Sequence, residues 1–416
     1  MAGKAEKKSL QLPEKQVQSL QAAFAKGSFS ELAGELQETL HSQESVCLNV
    51  GVTGEQGAGK STLINSIRDL RQEEAGAAPV GGVGPSKDPR AYSHPKYANV
   101  VLWDLPSIGA PGFKPKVYLE EITVSRYDFF VILAAQRFAP FHAKLARYIK
   151  QAGKDFYFVR SKVDVDMEAA LQSQPSGFAE AATLQNIRDG CVQDLQAAGA
   201  KTPRVFLISS FLFGKYDFPL LAQALGQDLD PGKSYAFLLA TPNISHRIVE
   251  KKKESMVEHM WLVAVVACGV NAAPIPRLSI VCDVDLLAKT LRGYCVDFGL
   301  EDASLRKVAE HMEQPLEMLT ALVKSPLASQ VTPAVVGQRL MEAAIKAPNL
   351  PKELLSCAPI LESVDAVGMS FAIVYHMLKD FVDDAAADAH RILVKGFMSQ
   401  RPGSAADLQA ARSTHS

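Results

Sequence analysis

The sequence has few features of a metal-binding or disulfide-stabilised protein. It contains six cysteines, but no two form a CxxC pair, and no cluster of cysteine and histidine has the spacing of zinc ligands. Most of the cysteines lie in apolar runs, which is typical of buried thiols in a reducing compartment. We therefore expect reduced cysteines and a cytoplasmic protein.

An excess of charge of either sign is also lacking. Lysine and arginine number 44 against 45 aspartate and glutamate, so no basic surplus is available to neutralise nucleic-acid phosphates, and we expect no nucleic-acid partner. Apolar residues make up 47% of the chain and charged residues 21%, which is the balance of a globular protein. A length of 416 residues exceeds one ordinary core and favours two domains.

Signals for secretion or membrane insertion are missing as well. The first residues contain no apolar signal core, and Ala2 stands where N-myristoylation requires glycine. The most apolar stretch, 260–270, is followed by Asn271 and Pro274 and is shorter than the roughly 20 residues of a membrane-spanning helix. The sequence predicts a protein that is not secreted, has no transmembrane span and contacts a membrane at most peripherally.

Apolar strands that alternate with helical patterns predict an α/β fold in the first half of the chain. The predicted strands are 46–53, 100–103, 129–133, 156–159 and 205–208, with helices at 61–70, 115–125, 139–152 and 178–198. The strands are nearly continuous apolar runs, which is typical of parallel strands buried on both faces of a sheet.

Beyond residue 235 the strand signal fades and helices dominate. The predicted helices are 244–270, 280–296, 302–323, 332–346 and 365–396. This pattern divides the chain into N-terminal helices at 1–43, an α/β nucleotide-binding domain at 44–235, a helical domain at 236–400 and a disordered tail at 401–416. The two helical regions are expected to pack together.

A glycine-rich motif lies between the first predicted strand and the helix that follows it. It matches the Walker A pattern in full and reads Gly54-Glu55-Gln56-Gly57-Ala58-Gly59-Lys60-Ser61. Its glycines allow backbone N–H groups to surround a phosphate. Lys60 can place its charge on the β- and γ-phosphates and Ser61 its hydroxyl on Mg²⁺, while Thr62 starts the helix whose N-terminus faces the anion. The motif predicts a nucleoside triphosphate site with Mg²⁺ as cofactor.

Three later segments follow predicted strands and complete the expected site. Asp104 stands where a Walker B aspartate holds the Mg²⁺ shell through water. The carboxylate of Asp164 can accept hydrogen bonds from guanine N1–H and the exocyclic amine, a donor pair that adenine lacks, and Lys162 can lie along the base. A backbone amide of Ser209 or Ser210 can contact guanine O6. We therefore expect GTP and GDP as ligands.

Motifs spread over residues 45–225 look like those of the immunity-related GTPases. They are Gly51-Val52-Thr53-Gly54, Gly57-Ala58-Gly59-Lys60-Ser61, Gly76-Ala77-Ala78-Pro79, Tyr92-x-His94-Pro95, Asn99-Val100-x-x-Trp103-Asp104-Leu105-Pro106, Tyr127-Asp128-Phe129-Phe130, Phe156-Tyr157-Phe158-Val159-Arg160, Lys162-Val163-Asp164 and Tyr216-Asp217-Phe218-Pro219. A weaker likeness continues into Leu291-Arg292-x-Tyr294 and Phe298-Gly299-Leu300. The Gly-Lys-Ser form with Ala58 resembles the branch of the family that carries Gly-Lys-Ser.

The resemblance implies a Ras-like P-loop G domain of three α/β/α layers, plus an all-helical domain formed by both chain ends. It also implies dynamin-like behaviour: hydrolysis of GTP to GDP, and GTP-dependent dimers or oligomers through the G domains, with related GTPases as further partners. Action on intracellular membranes in cell-autonomous defence is a further implication. One divergent branch is expressed in the germ line without a clear immune role.

The sequence departs from the family pattern in both switch regions. Gly84-Pro85-Ser86 aligns with the usual Glu-Thr-Thr of switch I, where Ser86 stands in for the switch threonine if the register slips. Ser107 replaces the glycine of Asp-Leu-Pro-Gly in switch II, which leaves its N–H available but adds a Cβ that crowds the γ-phosphate. Ile108 follows, so no Ras-type glutamine orients the attacking water. These changes weaken the expectation of hydrolysis and leave binding by Lys60, Ser61 and Asp164 unaffected.

Three functional hypotheses follow. The first is a slow GTPase that hydrolyses after self-assembly, and the second is a GTP-gated scaffold with little or no turnover. The third is a protein with a vestigial site, which the intact phosphate loop disfavours.

Two other segments have competing interpretations. Lys251-Lys252-Lys253 is a solvated face or a phospholipid contact, and residues 260–276 form a core helix hairpin or an amphipathic membrane foot.

Overall fold

The computed structural model describes residues 22–23, 26, 28–81, 88–175, 177–212, 214–275, 278, 280–311, 313–346 and 366–399. It divides into two compact units, an α/β unit, Ser45–Ile248, and a helical unit drawn from Met1–Glu44 and Val249–Ser416. The predicted tail at 401–416 lies outside the described residues.

The secondary structure alternates between strands and helices in the α/β unit and is mainly helical elsewhere. The strands are β1 (Leu48–Gly54), β2 (Arg90–Ser93), β3 (Val100–Asp104), β4 (Phe129–Ala134), β5 (Asp155–Arg160), β6 (Val205–Leu207), β7 (Ala273–Pro274) and β8 (Val281–Cys282). The helices are α1 (Phe29–Ser45), α2 (Lys60–Ile67), α3 (Pro115–Glu121), α4 (Pro140–Gln151), α5 (Val163–Ser173), α6 (Glu180–Ala197), α7 (Phe218–Asp228), α8 (Pro231–Ala240), α9 (His246–Gly269), α10 (Val284–Asp297), α11 (Asp302–His311), α12 (Leu316–Thr320), α13 (Pro333–Lys346) and α14 (Ala366–Ser399).

A six-stranded sheet forms the centre of the α/β unit. The strand order is β2-β3-β1-β4-β5-β6, in which β2 pairs antiparallel with β3 and the other neighbours are parallel. Because β1 lies between β3 and β4, the loop after β1 opens at the same sheet edge as the ends of its parallel neighbours. Ligands of open α/β sheets bind at this edge.

The two faces of the sheet are covered by different helices. Val50 and Val52 of β1 belong to one core, which includes residues of α2, α7 and α8. Phe130 and Ile132 of β4 belong to the other core, which includes residues of α3, α4 and α6. Burial on both faces explains the continuous apolar strands. The predicted three-layer, Ras-like α/β/α architecture is confirmed.

The α/β unit extends past residue 235, where the sequence placed its end. Helix α8 crosses that position, and it packs against β1 and β3. The buried side chain of Phe237 in α8 belongs to the same core as Val50 and Val52. Its apolar burial therefore keeps the chain in the α/β unit up to Ile248.

Both ends of the chain contribute to the helical unit. A Cβ on Gly269 of α9 would lie 2.3 Å from the Cβ of Ala33 in α1, so a glycine is needed where these two helices meet. Residues 260–268 of α9 are each at most 4% exposed, which makes this segment part of the core rather than a membrane foot. Among the described helices, none has the length and apolarity needed to cross a membrane.

Candidate functional site

The glycine-rich loop joins β1 to α2 at the open edge of the sheet. Gly59 is the N-cap of α2 and adopts a left-handed conformation with φ of 89°, which favours glycine. At the start of the loop, a Cβ on Gly54 would lie 2.5 Å from the carbonyl oxygen of Leu133 in β4. Two glycines of the motif are thus required by the backbone, and the N-terminus of α2 faces the space that the loop encloses.

The Lys60 side chain folds back over this loop. Its Nζ donates hydrogen bonds to the carbonyl oxygens of Gly54 and Glu55, both at 3.3 Å, and to Ser107 Oγ at 3.0 Å. Burial lowers the pKa of the ammonium group, and the nearby Asp104 carboxylate opposes part of that decrease. The structure therefore holds a partly desolvated cation where the Walker A motif predicts phosphate.

Ser61 and Asp104 meet beside Lys60. Strands β1 and β3 are neighbours, and Val52 pairs with Asp104, which brings the end of β3 next to the start of α2. Ser61 Oγ donates a hydrogen bond of 2.5 Å to Asp104 Oδ2. No group of three or more His, Cys, Asp or Glu among the described residues could hold a metal by itself. A hydroxyl and one carboxylate fit Mg²⁺ that keeps water and phosphate oxygens as its other ligands.

Switch II is anchored on both sides of Ser107. The Leu105 N–H donates to Val52 O and the Ile108 N–H to Gly54 O, each at 3.1 Å. The buried hydroxyl of Tyr118 donates to Pro106 O at 3.1 Å and shares a bond of 2.8 Å with Thr53 Oγ1. Sequence reasoning missed Tyr118 because no motif marks it, since the residue reaches the site from α3.

The segment predicted to recognise the base, 161–164, follows β5. Lys162 is the N-cap of α5 and adopts a left-handed conformation with φ of 58°, and its side chain is exposed. Asp164 lies in the first turn of α5, and its Oδ1 atom is buried without a hydrogen-bond partner. An orphaned carboxylate oxygen is costly to bury, so its presence points to a ligand donor. The predicted role of Asp164 in guanine recognition stays a prediction.

Ser209 and Ser210 lie beside this segment, after β6. The hydroxyl of Ser209 is buried and accepts hydrogen bonds from the N–H groups of Phe211 and Leu212 at 3.2 and 3.0 Å. The carbonyl of Ser210 accepts a bond of 2.8 Å from Ser66 Oγ of α2. The structure thus places the loop after β6 against α2. The contact of a backbone amide with guanine O6 stays a prediction.

The segments on either side of switch I are fixed to α2. Asn65 accepts a hydrogen bond from the N–H of Ala78 at 2.7 Å and donates to its carbonyl at 2.8 Å. Arg68 donates to Gly76 O at 2.9 Å and to Ser93 O at 3.0 Å. The predicted switch residue Ser86 lies outside the described residues.

The lysine run at 251–253 is engaged within the helical unit. Lys252 is buried and donates to Asp297 O at 2.9 Å, while Lys253 pairs with Asp383 at 2.7 Å and Lys251 with Glu254. These pairs favour a structural role over a phospholipid contact.

Known proteins resemble this chain in sequence over most of its length. A family model described as interferon-inducible GTPase matches residues 13–396. Interferon-inducible GTPase 5 of Rattus norvegicus is 38% identical over 406 residues, which cover 98% of this chain and 88% of the relative. Interferon-gamma-inducible GTPase 10 of Mus musculus is 35% identical over 382 residues, with coverage of 91% and 88%. Interferon-inducible GTPase 1 of Mus musculus is 36% identical over 307 residues, 74% of each chain.

Proposed function

The chain belongs to the interferon-inducible GTPase family, and on that premise we propose that it binds GTP with Mg²⁺ and hydrolyses it to GDP in a self-assembled state. The observation that carries the proposal is the orphaned Oδ1 of Asp164, in a segment that Ser161 bonds to the phosphate loop. The family supports GTP hydrolysis for its members in general.

Guanine specificity rests on Asp164. With the carboxylate ionised, its oxygens are acceptors only, and guanine presents two adjacent donors, N1–H and the exocyclic amine. Adenine presents an acceptor at N1, so it would leave the buried oxygen unpaired at a cost of about 1–3 kcal/mol. Lys162, with its exposed side chain at the N-cap of α5, is placed to lie along the base.

Phosphate binding rests on the loop from Gly54 to Ser61. Lys60 would exchange its bonds to Gly54 O, Glu55 O and Ser107 Oγ for phosphate oxygens. Ser61, with Asp104 acting through water, would hold Mg²⁺, which neutralises charge that develops on the phosphates during hydrolysis. The protein's part is therefore to position the triphosphate and to supply fixed charge in a partly desolvated site.

A GTP-gated scaffold with little turnover is the second candidate, and the position of Ile108 favours it. Its side chain is 3% exposed and belongs to the core of the α/β unit, and its N–H is bonded to Gly54 O. A residue held in this way cannot orient an attacking water. Hydrolysis would then require a group from a facing subunit or from the segment around Ser86.

Phosphate release measured over a series of protein concentrations separates the two candidates. With GTP and Mg²⁺ present, a specific activity that rises with protein concentration supports hydrolysis in an assembled state. Tight GTP binding without phosphate release at any concentration rejects the GTPase and leaves the scaffold. The Lys60→Ala variant is the control, since it removes the cation from the site.

Self-assembly and membrane contact follow from the family premise and are proposed for GTP-bound protein. The partners proposed are a second copy of the chain, through the α/β unit, and related GTPases, with peripheral contact to intracellular membranes in cell-autonomous defence. Size-exclusion chromatography with light scattering, in GDP and in a non-hydrolysable GTP analogue, tests the first part. A monomer in both nucleotides would reject it. Flotation with liposomes in the same two nucleotides tests the membrane contact.

A further inference from the structure

Ser107 holds two unused hydrogen-bond donors beside the phosphate-binding lysine. Its Oγ accepts from Lys60 Nζ at 3.0 Å, but the hydroxyl proton has no acceptor among the described residues. The Ser107 N–H likewise donates to no described residue. Both donors belong to one residue, at the point where Lys60 is expected to meet the terminal phosphate. Donors that converge beside a cation form a site for an anionic oxygen.

The position of Ser107 is fixed by the hydrogen bonds of its neighbours. Leu105 and Ile108 are bonded to β1 through their N–H groups, and Pro106 accepts the Tyr118 hydroxyl. Glu55 and Ile108 also form an isolated parallel bridge between the phosphate loop and switch II. Three of the residues that surround Ser107 are therefore anchored, so little ordering entropy remains to be lost when a phosphate oxygen arrives.

We propose that the Ser107 hydroxyl is a γ-phosphate recognition group that makes this chain select GTP over GDP. This inference rests on the proposed function, because it names a further residue of the same site. The hydroxyl oxygen accepts one of the hydrogen bonds that Lys60 donates. When a triphosphate binds, Lys60 turns to the phosphates, and the Ser107 O–H and N–H donate to γ-phosphate oxygens. GDP lacks those oxygens and gains nothing from Ser107.

Substitution by glycine distinguishes this role from steric crowding. If the Cβ of Ser107 crowds the γ-phosphate, as its replacement of glycine suggests, Ser107→Gly strengthens binding of a non-hydrolysable GTP analogue. If the hydroxyl recognises the γ-phosphate, the same variant weakens that binding by about tenfold, the loss expected for one charge-assisted hydrogen bond. Ser107→Ala removes the hydroxyl but keeps the Cβ. The same loss of affinity for the analogue in this variant therefore cannot come from the added backbone freedom of glycine.

The experiment is a titration of the full chain with GDP and with β,γ-imido GTP, in Mg²⁺. The proposal predicts that Ser107→Ala and Ser107→Gly lose affinity for the analogue only, that Ser107→Thr recovers most of it, and that the Ser173→Ala control matches the unsubstituted chain. An unchanged ratio of the two dissociation constants in Ser107→Ala, or a higher affinity of Ser107→Gly for the analogue, overturns it. If the Ser107 proposal fails in this way, GDP binding by the unsubstituted chain still supports the proposed function. If the unsubstituted chain binds neither nucleotide, both the proposed function and the role of Ser107 are wrong.

Discussion

The hydroxyl of Ser161 donates a hydrogen bond of 2.7 Å to the carbonyl oxygen of Ala58, so the base-recognition segment is tied directly to the phosphate loop. Ser161 is 1% exposed and has a second acceptor, Ala134 O at 3.3 Å. In the proposed function a nucleotide contacts both loops at once, and this bond constrains the distance between them. We therefore propose that Ser161 is a positioning residue for the nucleotide site.

Substitution of Ser161 by alanine should weaken nucleotide binding without changing base preference. Loss of one buried hydrogen bond costs about 1 kcal/mol, which corresponds to about fivefold in affinity. GTP and GDP should lose affinity equally, because the bond does not involve the γ-phosphate. Fluorescent-nucleotide titrations measure both. The exposed Ser173→Ala variant is the control, and unchanged affinity in Ser161→Ala would contradict the positioning role.

The Asp164→Asn substitution should change the preferred base from guanine to xanthine. The amide of asparagine offers a donor where the carboxylate offers an acceptor, and xanthine carries a carbonyl oxygen in place of guanine's exocyclic amine. Affinity for GTP should fall by about tenfold or more, while affinity for xanthosine triphosphate should rise. Competition of both nucleotides against a fluorescent analogue measures the exchange. Unchanged GTP affinity in this variant would show that Asp164 does not face the base.

The phosphate and base motifs could be placed from sequence because each follows a continuous apolar strand. Five strand segments were predicted, and each coincides with an observed strand, since burial on both faces leaves a clear apolar signal. Strand β2 was not predicted. It is short and largely exposed, and it lies antiparallel at the sheet edge, so residues such as Arg90 and Ser93 carry no apolar pattern.

Contacts from distant elements escaped prediction for a different reason. Tyr118 reaches switch II from α3, and Ser66 of α2 holds Ser210 beyond β6. Such pairs depend on three-dimensional packing, and no local spacing encodes them.

The predicted helix 302–323 is two helices in the structure, α11 and α12, because Pro315 cannot continue the first one.

Asp388 should be essential for stability of the helical unit. Its fully buried carboxylate accepts the N–H groups of Lys324 and Ser325 at 3.0 and 2.8 Å and pairs with Arg391. Asp388→Ala leaves these donors unpaired, and the free energy of unfolding should fall by about 3 kcal/mol. Urea unfolding followed by far-ultraviolet circular dichroism measures it.

A matched control for Asp388 lies on the same helix. Asp383 also pairs with a cation, Lys253, but its side chain is 41% exposed. Asp383→Ala should therefore change the free energy of unfolding by less than about 1 kcal/mol. Equal effects of the two substitutions would show that burial of the Asp388 carboxylate is not what matters.

His142 should make the α/β unit less stable in mild acid. Burial lowers the pKa of this imidazole to about 4, and its Nδ1 accepts a hydrogen bond from the Ala139 N–H. As the pH falls from 6.5 to about 4, the unfolded chain takes up the proton first, so stability decreases by up to about 1.4 kcal/mol per pH unit.

The His142→Gln variant tests this dependence, because glutamine retains an acceptor and does not titrate. The free energy of unfolding of the α/β unit should depend less steeply on pH between 6.5 and 4 in the variant. His41→Gln, at an exposed position of α1, is the control. Identical pH profiles for His142→Gln and the unsubstituted chain would contradict the assignment.

Guanine-nucleotide binding by the site around Lys60 and Asp164 is tested most directly by competition. The purified chain, saturated with a fluorescent guanine nucleotide in Mg²⁺, is titrated with unlabelled GTP and separately with ATP. We expect displacement by GTP at a concentration at least about tenfold below that needed for ATP, and no binding of the fluorescent nucleotide by Lys60→Ala. Equal displacement by GTP and ATP, or binding that survives Lys60→Ala, would contradict it.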